Sequence, residues 1–148
     1  MRILLTGGTG FIGTALRRAI KDQGHDVRLL VRQQSANKID PREGYEVIVG
    51  DVLDTHTCMR AVEAVDAIVH LIGIRREFPN DGITYEAMHT EATYAIVDAA
   101  VRNKVPRIIY MSSQGSRPNA TSRYHKTKWE SEEIVRKGLV HVLASDSH

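Results

Sequence analysis

The sequence predicts an α/β fold, a doubly wound parallel sheet with helices on both faces, and three observations predict it. Short apolar runs of strand length alternate with longer stretches of helical spacing along the chain, the pattern of successive β-α-β units. The first apolar run, residues 2–6, feeds directly into a glycine-rich turn that opens a helix. The run at 66–72 lacks the in-and-out alternation of a half-exposed strand, so it belongs to a sheet covered on both sides.

Taken in order, residues 2–6 form the first strand and residues 11–23 a helix with Ile12, Leu16, Ala19 and Ile20 on one face. Gly24 closes that helix, because glycine readily takes the left-handed conformation a C-terminal cap needs. Residues 26–32 are the second strand, the polar stretch 33–44 with Pro41 is a loop or short helix, and 45–50 are the third strand. Asp54 caps a helix over 55–64, its carboxylate accepting from an otherwise unpaired N–H. The fourth strand, 66–72, leads through a loop at 73–82 to a long helix over 84–103. The Met88, Ala92, Ala95, Ile96, Ala99 and Ala100 face of that helix is narrow and suited to close packing. Val105-Pro106 ends it. A fifth strand at 107–112, a turn-rich loop at 114–122 and a last helix at 123–137, closed by Gly138, follow. Residues 139–143 begin a sixth strand, and the polar residues 144–148 leave it.

The chain has 148 residues, enough to bury a core without staples, and shows no repeat or linker, so residues 1–148 read as one nucleotide-binding domain. A net charge of +2 with both signs interspersed gives no basic stripe, which excludes nucleic acid as a partner. The lone Cys58 cannot close an internal disulfide and fits a reducing compartment. No apolar run approaches the roughly 18 residues of a membrane span, and the start reads as a buried strand rather than a leader, so the expected location is the cytoplasm. The histidines show no paired ligand spacing, and no metal site is expected.

The turn is Thr6-Gly7-Gly8-Thr9-Gly10-Phe11-Ile12-Gly13, readable as Gly8-x-Gly10-x-x-Gly13 or as Gly7-x-x-Gly10-x-x-Gly13. A chain that reverses tightly from strand to helix while a pyrophosphate touches its backbone needs residues without Cβ atoms, and Gly7, Gly10 and Gly13 meet that need. The phosphates would rest on the free N–H groups at the helix start, where the dipole is positive, and Gly13 lets that helix pack close to the sheet. An acid after the second strand would suit the ribose 2′-hydroxyl of NAD, and an arginine the 2′-phosphate of NADP. Arg32 stands there with no acid beside it, which favours NADP over NAD, although a solvated arginine at a strand end would look the same. Asp51, directly after the third strand, is placed either to reach an adenine amino group or to cap a turn. Tyr124 and Lys128 lie one helical turn apart, so a phenol and an ammonium project from one face. An ammonium beside a phenol favours the phenolate, which can exchange a proton with a substrate hydroxyl while a nicotinamide exchanges a hydride.

These residues resemble the short-chain dehydrogenase/reductase superfamily in its extended or atypical branch, that of the NAD-dependent epimerases and dehydratases. The features carrying the resemblance run in order from the Rossmann-type turn Thr6 to Gly13, through Gly50-Asp51-Val52 and His70-Leu71-Ile72-Gly73, to Ser112-Ser113 and Tyr124-x-x-x-Lys128. The Val31-Arg32 strand end and the short spacing from Ser113 to Tyr124 are most similar to the accessory subunit of respiratory complex I with this fold, and to bacterial sugar-nucleotide epimerase-like proteins. The resemblance implies that Thr9, Phe11, Ile12, Val52, Leu71, Ile72, Gly73 and Ser112 border the cofactor. It further implies that Ser113 orients the substrate oxygen, that Tyr124 moves the proton and that Lys128 also binds the nicotinamide ribose. It points to a small-molecule substrate of the nucleotide-sugar kind and to a homodimer through a four-helix interface built from 84–103 and 123–137. Two departures temper this. The segment Met88-His89-Thr90-Glu91-Ala92-Thr93 lacks the asparagine that relatives often carry there, and the tail lacks the arginine-proline strand that leads into their substrate region. The resemblance implies an NAD(P)-dependent oxidoreductase or nucleotide-sugar epimerase/dehydratase using Tyr-Lys proton transfer, with a non-catalytic nucleotide-binding structural, assembly or sensor subunit as the alternative. The departures add the expectation that this chain is truncated and binds cofactor without catalysis.

Overall fold

The computed structural model describes residues 1–138 and 141–146. Its centre is one sheet of six parallel strands: β1 (Arg2–Thr6), β2 (Asp26–Val31), β3 (Glu46–Val49), β4 (Ala67–His70), β5 (Ile108–Ser113) and β6 (His141–Asp146). They lie side by side in the order β3-β2-β1-β4-β5-β6. The chain thus builds outward from β1 to β3, then crosses back to place β4 on the other side of β1. Such a reversal opens a crevice at the carboxyl ends of β1 and β4, where ligands of doubly wound sheets bind.

Two hydrophobic clusters flank the sheet. On one face, α2 (Thr55–Val62), α3 (Ala92–Arg102) and α4 (Arg123–Gly138) cover Leu4, Leu30, Ile68, Ile108 and Tyr110, with Cys58, Val62, Ile96, Ala100 and Val135 filling the layer between. On the other, α1 (Phe11–Asp22) lies against β1 and β2 over Leu5, Leu29 and Val31. Coverage is uneven: Ile108, Tyr110 and Ser112 of β5 are buried under α3 and α4, while the alternate Ile109, Met111 and Ser113 are half-buried. The small residues of α3 explain its close approach, since Ala92, Ala99 and Ala100 are almost wholly buried. Local signals behave as their chemistry requires. Gly24 follows α1 at φ 85°, and the Asp54 carboxylate accepts from the Thr57 N–H at 3.1 Å to start α2.

Three expectations change, and the loop or short helix expected at 33–44 is made specific. The helix expected over 84–103 is not uniform: Glu86–Glu91 forms a π-helical turn before α3 begins. The wider turn gives room for the His89 ring, which is buried with both nitrogens hydrogen-bonded, and it carries Met88 to the crevice. On α1 the fully buried residues are Gly13 and Arg17, and of the expected apolar face Leu16 and Ile20 pack half-buried against the core while Ala19 is exposed and Ile12 is 41% exposed. The stretch 33–44 holds two 3₁₀ turns, Gln33–Lys38 and Pro41–Glu43. Finally, β6 runs to Asp146, past the expected end at Leu143, because 144–146 pair in register with Met111, Ser112 and Ser113 of β5. Backbone pairing is indifferent to the polarity that suggested a tail. Residues 139–140 and 147–148 lie outside the described residues.

Candidate functional site

A cavity of about 380 Å³ lies in the crevice, and it gathers Gly7, Thr9, Gly10, Arg32, Asp51, Val52, Leu71, Ile72 and Gly73, nine of the residues singled out in the sequence, along one groove. Its floor is the turn after β1. Gly7 takes a left-handed conformation at φ 72°, and its carbonyl accepts from the Gly10 N–H at 3.2 Å. A Cβ on Gly13 would stand 2.1 Å from that same carbonyl oxygen, so only glycine lets α1 start this close to the turn. Gly10 differs: at φ −76° its Cβ would meet nothing nearer than 3.5 Å, which makes it open toward the groove rather than tight within the fold. No side chain caps α1, so the N–H groups of Phe11, Ile12 and Gly13 keep the free donors of a helix start. The Phe11 side chain is 96% exposed, so what it and Ile12 offer a ligand is backbone. A Cβ-free turn, unpaired N–H groups and a positive helix end together fit a pyrophosphate.

At one end of the groove stand Arg32, just past β2, and the buried Ser35. A shallower extension continues along Arg32, Gln33, Gln34 and Asp81. The Asp51 carboxylate accepts from the Leu53 N–H at 2.9 Å, holding the turn after β3, and the residue also borders the groove, so both roles weighed for it in the sequence are geometrically open.

Beyond the Gly73 wall stands α4, and Ser113, Tyr124 and Lys128 are not among the residues that line the cavity. Lys128 is 4% exposed, donates from Nζ to the Met111 carbonyl at 2.9 Å and lies 5.0 Å from the centre of the Tyr110 ring. A Cβ on Gly73 would come within 3.2 Å of that Nζ, so the missing side chain at 73 keeps the ammonium beside the groove wall. Tyr124 presents its ring edge-on to Tyr85, His89 and His125 at centroid separations of 5.7, 5.3 and 5.2 Å. Ser113 shares a hydrogen bond with Ser116 at 3.1 Å. Ser112 is turned the other way: it is buried, donates to the Glu132 carboxylate and does not line the groove.

His89 is a site residue that the sequence reading passed over. Thr127 directs its hydroxyl proton to backbone carbonyls of Arg123 and Tyr124, so its oxygen accepts from His89 Nδ1 at 2.9 Å, while His89 Nε2 accepts from the Ile74 N–H at 3.0 Å. The ring thereby ties the loop after β4 to the helix bearing Tyr124 and Lys128. Burial, and then the Lys128 charge, push its pKa down to about 4, so it is neutral at pH 7. His70 lies deeper, between the hydroxyls of Thr6 at 2.6 Å and Thr93 at 3.1 Å, and the same causes push it down to about 3. The burial of Arg17, 3% exposed, was likewise not expected. The available signal was a polar residue at a helical position that packing alone would fill with an aliphatic. Among the described residues no group of three or more His, Cys, Asp or Glu side chains converges as metal ligands, and no helix is long and apolar enough to cross a membrane.

Known proteins resemble this chain in sequence and fold. The model of the NAD dependent epimerase/dehydratase family matches residues 3–137. The chain is similar to a 3 beta-hydroxysteroid dehydrogenase/Delta 5-->4-isomerase of Mycobacterium tuberculosis, 34% identical over 118 residues, covering 76% of this chain and 31% of that protein. It is also similar to the mitochondrial NADH-ubiquinone oxidoreductase 40 kDa subunit of Neurospora crassa, 28% identical over 88% of this chain and 35% of that one. Among solved structures, a short-chain dehydrogenase/reductase superfamily protein of Agrobacterium tumefaciens with bound NAD superposes at a TM-score of 0.78 with 27% identity, over 97% of this chain and 48% of its own. The chain thus spans about a third of the curated relatives it matches and about half of that structure.

Proposed function

The chain belongs to the NAD dependent epimerase/dehydratase family, and on that premise we propose that it binds a nicotinamide dinucleotide, NADP in preference to NAD, for oxidoreductase or epimerase chemistry on a small hydroxylated substrate such as a nucleotide sugar. The observation that carries the reading is the single groove joining the Cβ-free turn, Arg32 and the Leu71 to Gly73 wall. Gly7, Thr9, Gly10 and the N–H groups of Phe11, Ile12 and Gly13 hold the pyrophosphate. Asp51 and Val52 flank the adenine, and Arg32 with Ser35 meets a 2′-phosphate. When bound, the nicotinamide supplies the hydride exchange. Tyr124 moves a proton at the substrate oxygen, Lys128 orients the nicotinamide ribose and Ser113 orients the substrate. Exposed Tyr94 and Val101, seven residues apart on α3, support a pairing of α3 and α4 with a second copy.

Arg32 gives the first test. In fluorescence titrations NADPH binds more tightly than NADH, and Arg32→Ala weakens NADPH by about tenfold or more, the cost of a charge-assisted phosphate contact, while leaving NADH nearly unchanged. Equal affinities in the wild type would remove the NADP preference and leave the dinucleotide reading intact. For the chemistry, Tyr124→Phe lowers turnover by about 10²–10⁴-fold at unchanged nucleotide affinity. A second reading, nucleotide binding without turnover, draws support from the likeness to the 40 kDa subunit. A protein whose turnover is indifferent to the Tyr124 hydroxyl, or that binds nucleotide and turns nothing over, favours it.

A further inference from the structure

Arg17 is a charged side chain in the packed face of α1, 3% exposed, where an aliphatic residue would satisfy the core at no electrostatic cost. A helical side chain leans toward its own N-terminus. From Arg17 that direction passes over Gly13, which has no side chain to block it, and the guanidinium reaches the turn. Its Nη1 donates to the Gly8 carbonyl at 2.7 Å. Its Nη2 lies 3.6 Å from the Glu43 carboxylate, and the Tyr45 ring centre lies 5.5 Å from the guanidinium carbon.

Two consequences follow from elementary geometry. A trans peptide sets its C=O and N–H on opposite sides, and the chain has no cis bonds among its described residues. Fixing the Gly8 carbonyl on Arg17 therefore turns the next N–H, that of Thr9, away from the protein and toward the groove that Thr9 borders. The second consequence is electrostatic. The guanidinium lies beside the turn that opens α1, at the positive end of the helix, a place that disfavours a cation unless an anion shares it. Glu43, half-buried at the far side, offsets part of that cost, and a phosphate in the turn would meet the rest.

We propose that Arg17 is a positioning residue for the dinucleotide pyrophosphate, holding the Gly8 peptide so that the Thr9 N–H faces the phosphates and adding buried positive charge beneath them. This rests on the cofactor reading given above, and it concerns a different part of the ligand from Arg32. In binding titrations on the full chain, Arg17→Met weakens NADPH and NADH by a common factor of about ten or more and leaves adenosine, which has no phosphate, unchanged. A role confined to packing would lower the melting temperature without separating these ligands, so the ligand ratio is the deciding readout. The wild-type chain provides a measurement that does not depend on the variant folding: in amide NMR spectra ADP shifts the Thr9 resonance strongly and adenosine does not. Unchanged NADPH affinity in Arg17→Met, an equal loss for adenosine, or a Thr9 amide indifferent to ADP each overturns the role of Arg17 while the dinucleotide site stands. A wild-type chain that binds neither NADPH nor NADH overturns the site itself and this role with it.

Discussion

Gly13→Ala abolishes measurable dinucleotide binding and lowers stability by about 3 kcal/mol or more, at the upper end of overpacking costs. The new methyl would lie 2.1 Å from the Gly7 carbonyl oxygen, 2.6 Å from the Gly8 Cα and 2.9 Å from the Gly7 carbonyl carbon. All three are backbone atoms, so no rotamer change relieves the contact; the helix must move off the turn, and the aligned N–H groups move with it. Gly10→Ala is the control that separates fold from ligand. Its backbone is ordinary at φ −76° and its Cβ has room, so the stability measured by urea unfolding falls by only about 1 kcal/mol, the cost of alanine at a helix N-cap. NADPH affinity nevertheless falls, because the methyl projects where the pyrophosphate approaches. A wild-type urea midpoint for Gly13→Ala, or undiminished NADPH binding by Gly10→Ala, would contradict this division of labour.

That division shows where the sequence was legible. Close packing of the helix at Gly13 was legible in the motif, whereas only the neighbouring backbone shows that Gly7 sits in a left-handed turn and that Gly10 is open toward the groove. Strand and helix order, the turn, and the Tyr124 and Lys128 pair were readable because they follow from periodicity and local spacing. The π-helical turn at Glu86–Glu91 was not, because its cause is a tertiary bond: His89 meets Ile74 and Thr127, 15 and 38 residues away. Arg17 was hidden for a related reason, since its partner Gly8 lies nine residues back across a helix start and its charge marks it as a surface residue by composition. Ser112 was expected beside the cofactor from its place in the motif alone, and the pleat of β5 instead buries it against Glu132.

Lowering the pH from 7 to 5 destabilises the protein steeply, well before its carboxylates titrate. His70 and His89 are buried and neutral, with pKa values pushed down to about 3 and about 4, against about 6.5 in the unfolded chain. Between pH 6.5 and 4 the unfolded state therefore takes up two protons that the native state refuses. Stability rises with pH wherever the unfolded state binds more protons, so acidification costs about 1.4 kcal/mol per pH unit for each imidazole once the unfolded residue is charged. The two together approach about 3 kcal/mol per unit, a large share of the 5–15 kcal/mol typical of a domain. Below pH 4 only His70 still contributes, and carboxylates such as Glu77 and Glu86, held below their usual range by Arg123, add their own losses there. Above about pH 7.5 both histidines are neutral in either state and the slope vanishes. Urea midpoints measured at pH 7, 6 and 5 should fall in that order, and His89→Asn should remove about half of the slope whatever it does to stability at pH 7. Equal midpoints at pH 7 and 5 would mean that the native state admits protons at these rings. The His89 bridge between the groove wall and α4 would then not be the neutral link that its two hydrogen bonds require.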